Sequence, residues 1–111
     1  MGTYRVRKNH GNQYYFNLHA GNGEIILTSE MYTTKGAAFG GIASCKANAA
    51  SDERYDRQDS SNGQFYFTLK APNSETIGRS EMYTTRRARD GGIESCRNNG
   101  PAAGTVDESG E

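Results

Sequence analysis

One hexapeptide occurs twice. Ser29-Glu30-Met31-Tyr32-Thr33-Thr34 returns unchanged as Ser80-Glu81-Met82-Tyr83-Thr84-Thr85. A shift of 51 positions aligns far more, and 21 of the 36 pairs between Gln13–Asn48 and Gln64–Asn99 are identical. A duplication at a fixed period is a strong constraint, because the same local structure must form twice and the copies must pack together. Half of a 111-residue chain is too short to bury a stable interior alone. The expectation is therefore two copies around one shared interior. That interior must be thin, since only 33% of the residues are hydrophobic and the mean hydropathy is −0.88. Seven Tyr and four Phe supply much of it, each ring removing a large area from water when buried.

Along the first copy, Tyr4-Arg5-Val6-Arg7-Lys8 alternates apolar and polar, as a half-buried strand does. A turn follows around Gly11. The run Gln13–His19 is the clearest strand. Its period of two places Tyr14, Phe16 and Leu18 on one face and Gln13, Tyr15, Asn17 and His19 on the other. Asn22-Gly23 signals a hairpin of type I′, which needs positive φ at both positions. A third strand is expected over 24–28. The hexapeptide then leads into a helix over about 34–48, with Thr33 or Thr34 as N-cap. Ala38, Ile42, Cys45 and Ala49 form its apolar stripe, and one of Gly40 and Gly41 marks a close approach or a kink. The second copy repeats this order. It has strands over 54–59, 64–70 and 75–79, a Pro72-Asn73 turn, and a helix from Thr85 to about Asn99 with Ala88, Ile93 and Cys96 inward. Gly100-Pro101 stops it. Thr105-Val106-Asp107 aligns with Arg54-Tyr55-Asp56 and reads as a last strand. Each copy is thus β-β-β-α-β, and residues 54–59 both close the first unit and open the second. The expected organisation is one domain over 1–108, made of repeats at about 2–51 and 53–102 with 103–108 as the last strand. Residues 109–111 are read as a flexible tail.

Net charge is zero. Residues 1–50 hold five Lys/Arg against two Asp/Glu, and residues 51–111 hold eight against eleven, so neither half has the basic footprint of a nonspecific nucleic-acid binder. No apolar run approaches a membrane span, and the opening Met1-Gly2-Thr3-Tyr4-Arg5 has no signal-peptide core. A soluble cytoplasmic protein is expected. Cys45 and Cys96 are repeat mates without Cys-X-X-Cys spacing, which favours small buried hydrophobes over a redox pair.

The strand Gln13-Tyr14-Tyr15-Phe16, the Asn22-Gly23-Glu24 turn, Ser29-Glu30, Tyr32 and Gly41-Ile42-Ala43-Ser44 together resemble the YegP-like family. These are small bacterial proteins of unknown function built from one or two copies of such a repeat. The resemblance implies an α+β fold in which two β-β-β-α-β units form a single antiparallel sheet. The units exchange their C-terminal strands, and both helices pack on the sheet. It brings no catalytic residues, metal or cofactor.

Helix positions have drifted between the copies (Gly36 to Arg87, Ala38 to Arg89, Phe39 to Asp90), but the hexapeptide has not. One reading makes it a pair of symmetry-related binding sites. Glu30 and Glu81 are then ligand carboxylates, Tyr32 and Tyr83 are rims, and Ser29 and Ser80 stand beside them. The bland reading is a strand-to-helix corner: Thr caps the helix, Glu lies near its positive end, and Met and Tyr plug the core. A second candidate surface is the open sheet face, with Tyr15 and Tyr66 beside His19, Lys70, Ile25, Leu27 and Arg79. Aromatics flanked by cations can stack nucleobases. The sequence has no metal spacing, no Gly-X-Ser-X-Gly elbow, no phosphate loop and no nucleophile-base pair. The function expected is a noncatalytic binding or interaction module, a monomeric pseudo-dimer whose partner is another protein. Single-stranded RNA binding on the open face is the alternative.

Overall fold

A computed structural model describes residues 2–110; Met1 and Glu111, the last residue of the expected tail, lie outside the described residues. The first copy gives β1 (Thr3–Lys8), β2 (Tyr14–His19), β3 (Ile25–Ser29) and α1 (Lys35–Asn48). A short 3-10 turn (Asp52–Arg54) leads to β4 (Tyr55–Asp59), β5 (Phe65–Lys70), β6 (Thr76–Arg79), α2 (Arg86–Asn99) and β7 (Gly104–Asp107). All seven strands join one sheet in the order β4-β5-β6-β3-β2-β1-β7. The copies meet at β3 and β6, where Thr28 pairs with Arg79. These two are repeat mates, so the pseudo-twofold axis passes between them.

The strand after each helix does cross to the other half: β4 pairs with β5, and β7 pairs with β1. The sheet is mixed rather than wholly antiparallel, because β1 and β7 run parallel. The sequence explains this. The segment at Tyr4–Lys8 recurs at Tyr55–Asp59 and, weakly, at 106–110. Three versions thus compete for two equivalent places beside β2 and β5. β1 and β4 take them, burying Tyr4 and Tyr55, and β7 is left on the outside with Val106 43% exposed.

Both helices share one face of the sheet and one hydrophobic cluster. Thr34 and Thr85 are the N-caps, in extended backbone, with hydroxyls accepting the Ala37 and Ala88 amides at 3.0 Å. The stripe expected on α1 is buried as read. On α2 the register is one residue off: Ala88 is exposed and Arg89 is buried, because the mate of Ala38 is Arg89. The helix C-termini are tied across the copies. Tyr4 Oη donates to the Gly100 carbonyl at 2.8 Å and Tyr55 Oη to Ala49 at 2.6 Å. Both phenols are raised well above their ordinary pKa, by burial first.

Bulges in β3 and β6 amend the face assignment. Leu18 pairs with Leu27 but His19 with Ile25, leaving Ile26 as the extra residue, and Ile77 is its counterpart in β6. Leu27, expected on the open face, is therefore fully buried. Its mate Gly78 makes room for it: a Cβ there would lie 3.0 Å from Leu27 Cγ and 2.8 Å from the Thr28 carbonyl. The Ala20–Gly23 hairpin is not type I′. Only Gly23 has positive φ, and Ser74 holds the same conformation in the second copy at φ 72°.

Candidate functional site

Three hexapeptide positions answer to the fold. Ser29 is 5% exposed; its hydroxyl accepts the Phe16 amide and donates to the Glu30 carbonyl, both at 2.8 Å. Ser80 repeats this with Phe67 at 3.0 Å and Glu81 at 2.8 Å. Each hydroxyl replaces a strand carbonyl that the ladder no longer supplies, so a buried N–H keeps its partner. Tyr32 exchanges two backbone bonds of 2.7 Å with Tyr14, and Tyr83 does the same with Phe65 at 2.7 and 2.8 Å. Their rings lie on the helices at Gly41 and Gly92, where any Cβ would collide with the phenol oxygen. Gly41, not Gly40, is thus the close approach that the sequence left open. Thr34 and Thr85 are the caps.

The other positions do not answer to the fold. Met31 and Met82, expected to plug the core, are 47% and 46% exposed. Tyr32 and Tyr83 turn toward the helix, which sends their predecessors outward. Glu30, Glu81, Thr33 and Thr84 are also exposed. Among the described residues neither Glu30 nor Glu81 makes a hydrogen bond or ion pair through its carboxylate.

Each of these carboxylates opens onto a cleft built by both copies. In one, of about 540 Å³, Glu30 and Tyr32 face Ser44 of α1 and the β5–β6 hairpin at Ala71, Glu75, Thr76 and Ile77. In the other, of about 360 Å³, Glu81, Met82 and Tyr83 face Ser95 of α2 and the β2–β3 hairpin at Ala20, Glu24, Ile25 and Ile26. Seven lining positions correspond under the repeat, and six hold identical residues; only Ile25 and Thr76 differ. A hollow of about 390 Å³ lies at the pseudo-twofold axis and is lined by Glu30 and Glu81 again, together with Thr28 and Arg79. Ser29 and Ser80 line this axial hollow and neither flanking cleft.

Burial raises the Tyr32 phenol, and the negative charges of Glu30 and Glu75 add to the effect. Tyr83 is raised by burial, then by Cys96, Glu81 and Glu24. Both phenols therefore stay protonated at neutral pH, as hydrogen-bond donors and not bases. Each cleft offers two carboxylates, a phenol and an apolar floor, which suits a cation with a short apolar body. Among the described residues no cluster of His, Cys, Asp or Glu could hold a metal ion. Cys45 and Cys96 are free and buried, and burial lifts Cys45 to about 11 and Cys96 further, so neither is a thiolate nucleophile. Sequence reasoning missed Glu24, Glu75, Ser44 and Ser95. Their signal was present, as polar positions identical between the copies.

Tyr15 and Tyr66 stand half-buried on the face away from the helices, one in each copy, and neither lines a cleft. The cations around them are engaged. Arg79 lies 5.4 Å from the Tyr66 ring, Arg5 and Arg7 meet Glu108 at 2.5 and 3.2 Å, and Lys70 meets Asp56 at 3.4 Å. Among the described residues no helix is long and apolar enough to cross a membrane.

Residues 9–56 and 60–107 each match the model of the Domain of unknown function (DUF1508). The matches start 51 residues apart, from 9 to 60, which is the period of the internal repeat. A UPF0339 protein of Bordetella pertussis is 55% identical over 109 residues, covering 98% of each chain. The UPF0339 protein YegP of Escherichia coli K12 is 47% identical over 108 residues, covering 97% of this chain and 98% of its own. The solution NMR structure of E. coli YegP, a protein of unknown function, aligns with a TM-score of 0.93 at 47% identity over 99% of this chain and 95% of that one. That of a UPF0339 protein from Shewanella oneidensis gives 0.91 at 44% identity, over 97% and 92%. With both copies matched and relatives this similar along nearly the whole length, the chain belongs to the DUF1508 family as a tandem pair of the UPF0339, YegP-like kind.

Proposed function

We propose that this chain is a small noncatalytic binding module of the bacterial cytoplasm, monomeric, whose two clefts take cationic groups of a protein partner. The observation that carries the reading is the pair Glu30 and Glu81. Both are exposed and unpaired among the described residues, and both are unchanged between copies that differ at 15 of 36 aligned positions. Serine, tyrosine and the capping threonine are explained by bonds they make within the fold. The glutamates are not, and a solvated surface carboxylate is otherwise free to vary. The absence of a nucleophile-base pair in the sequence supports a binding role. The test is calorimetric titration of the intact chain with a lysine octapeptide. Replacing Glu30 and Glu81 together by Gln is expected to abolish measurable binding and leave the melting temperature unchanged. Undiminished binding by that variant would sink the proposal, as would substrate turnover that the two Gln substitutions abolish.

A further inference from the structure

The two ends of the sheet differ, and we propose that the outer edge of β1 is a docking edge for an extended acidic segment of another protein. The segment pairs parallel to β1, and β7 occupies its place in cis. The repeat puts β1 and β4 in equivalent positions, yet among the described residues no strand lies outside β4. The fold therefore closes without a strand at this place. β7 adds little to the interior: its four residues are all exposed, and the chain before it is anchored in the core at Ala103. Its parallel pairing is also the slightly weaker kind. What marks the edge is charge on both faces of the sheet. On the open face Glu108 meets Arg5 at 2.5 Å and Arg7 at 3.2 Å, and on the helix face Asp107 meets Lys35 at 2.8 Å. The Glu108 amide donates to the Val6 carbonyl at 2.7 Å and carries the pairing just past β7. None of this recurs at β4. Asp56 and Gln58 stand where β1 has Arg5 and Arg7, and Arg86, the mate of Lys35, meets Asp59 at 3.2 Å. Asp107 and Glu108 thus show the register and the chemistry of the occupant. When a segment adds to a sheet edge, main-chain bonds supply affinity and side chains supply specificity. β7 pairs with Thr3–Val6 only, so Arg7 and Lys8 at the end of β1 lie beyond its register. Exposed ion pairs contribute little singly, and a longer acidic strand that follows all of β1 would displace β7.

The experiment uses the intact, labelled chain and its double variant Asp107→Lys with Glu108→Lys, which turns the ion pairs into repulsions. Backbone amide shifts are followed on titration with a capped octapeptide copying residues 103–110, and with a version carrying Lys at both acidic positions. In the variant the β7 amides are expected to lose protection from hydrogen exchange, while β2 and β5 keep theirs. The acidic octapeptide should then shift the β1 amides and bind at least about tenfold more tightly than to the native chain, where β7 competes at the high effective concentration of a short tether. The lysine octapeptide should move neither chain, and β4 should respond to neither peptide. A variant whose β7 stays protected would overturn the proposal, because charge would not be what the edge reads. So would a β1 edge that ignores the acidic octapeptide, takes both peptides alike, or responds no more than β4. Concentration-dependent dimerisation of the native chain, with shifts confined to β1 and β7, would assign the edge to a second copy's β7 and overturn the proposed partner.

Discussion

In the first copy a methyl group, Ala38, closes the start of α1 against the sheet. In the second the same position is Arg89, whose guanidinium lies 5.9 Å from the Phe65 ring, donates to Asp90 at 3.2 Å and forms an ion pair with Asp59 at 3.6 Å. The exchange is compensated. In the first copy the cation over the corresponding ring comes from the strand, with Lys8 5.6 Å from Tyr14. In the second that strand position is Asp59, and the cations come from the helix, Arg86 at 4.8 Å and Arg89. A ring at this place keeps a cation, whichever element provides it. Drift at structural contacts thus moves in linked steps, leaving a record in the neighbours. The glutamates of the clefts are unchanged and make no such contacts among the described residues, which is the ground for the binding role proposed for them.

The comparison breaks most severely if the copies are parted. Residues 2–51 alone lack β4, which carries the Tyr55 bond to the end of α1, and also the β6 edge. The fragment is expected to be unfolded by circular dichroism and amide dispersion. At the axis, Leu27→Gly should cost about 3–5 kcal/mol through the cavity it leaves. Gly78→Leu should cost about 1–3 kcal/mol by overpacking. The double exchange moves the same volume across the pseudo-twofold axis, so urea denaturation should show it milder than the sum by at least about 1 kcal/mol. Strict additivity would mean that the two positions do not share one space. Ser29→Ala and Ser80→Ala should each cost about 1–3 kcal/mol, and about equally, since each orphans a buried strand amide.

Raised pKa values set the alkaline limit. The folded state holds the Cys45 and Cys96 thiols and the Tyr4 and Tyr55 phenols in their protonated forms. That stability is complete below the ordinary thiol pKa of about 9 and falls as pH rises beyond it, by about 1.4 kcal/mol per pH unit for each group that ionises only when unfolded. Stability measured in urea should therefore be lower at pH 10.5 than at pH 8. The Cys45→Ala variant should lose less over that range. The smallest effect belongs to the hairpins. Ser74→Gly should stabilise the second copy by about 0.5–1 kcal/mol by relieving its positive φ, whereas Gly23→Ser should destabilise the first by a similar amount.

Most of the fold could be read because the repeat doubled every local signal. Two weak strands at the same offset are more convincing than one, and the paired threonines at the end of the hexapeptide marked both helix starts to within a residue. What escaped the reading was whatever breaks the period. The bulges at Ile26 and Ile77 shift the alternation by one residue, which hid the burial of Leu27. An arginine at a core position is invisible to a hydrophobicity pattern, which is why Ala88 was placed inward instead of Arg89. The parallel β1–β7 pair follows from competition for a place in the sheet, a property of the whole chain that no local window contains. For the site, the hexapeptide pointed to Glu30, Tyr32, Glu81 and Tyr83. The hairpin glutamates opposite them come from the other copy, and the pairing of β3 with β6 at the axis brings them near.

The surplus strand has a mechanical consequence. β1 and β7 lie side by side and point the same way, and the chain enters at the start of one and leaves from the end of the other. A pull on the two chain ends would slide these strands lengthwise past each other, so every bond of that ladder would share the load at once. A chain of this kind, tethered at both ends between larger bodies, would resist stretching far better than its modest interior suggests.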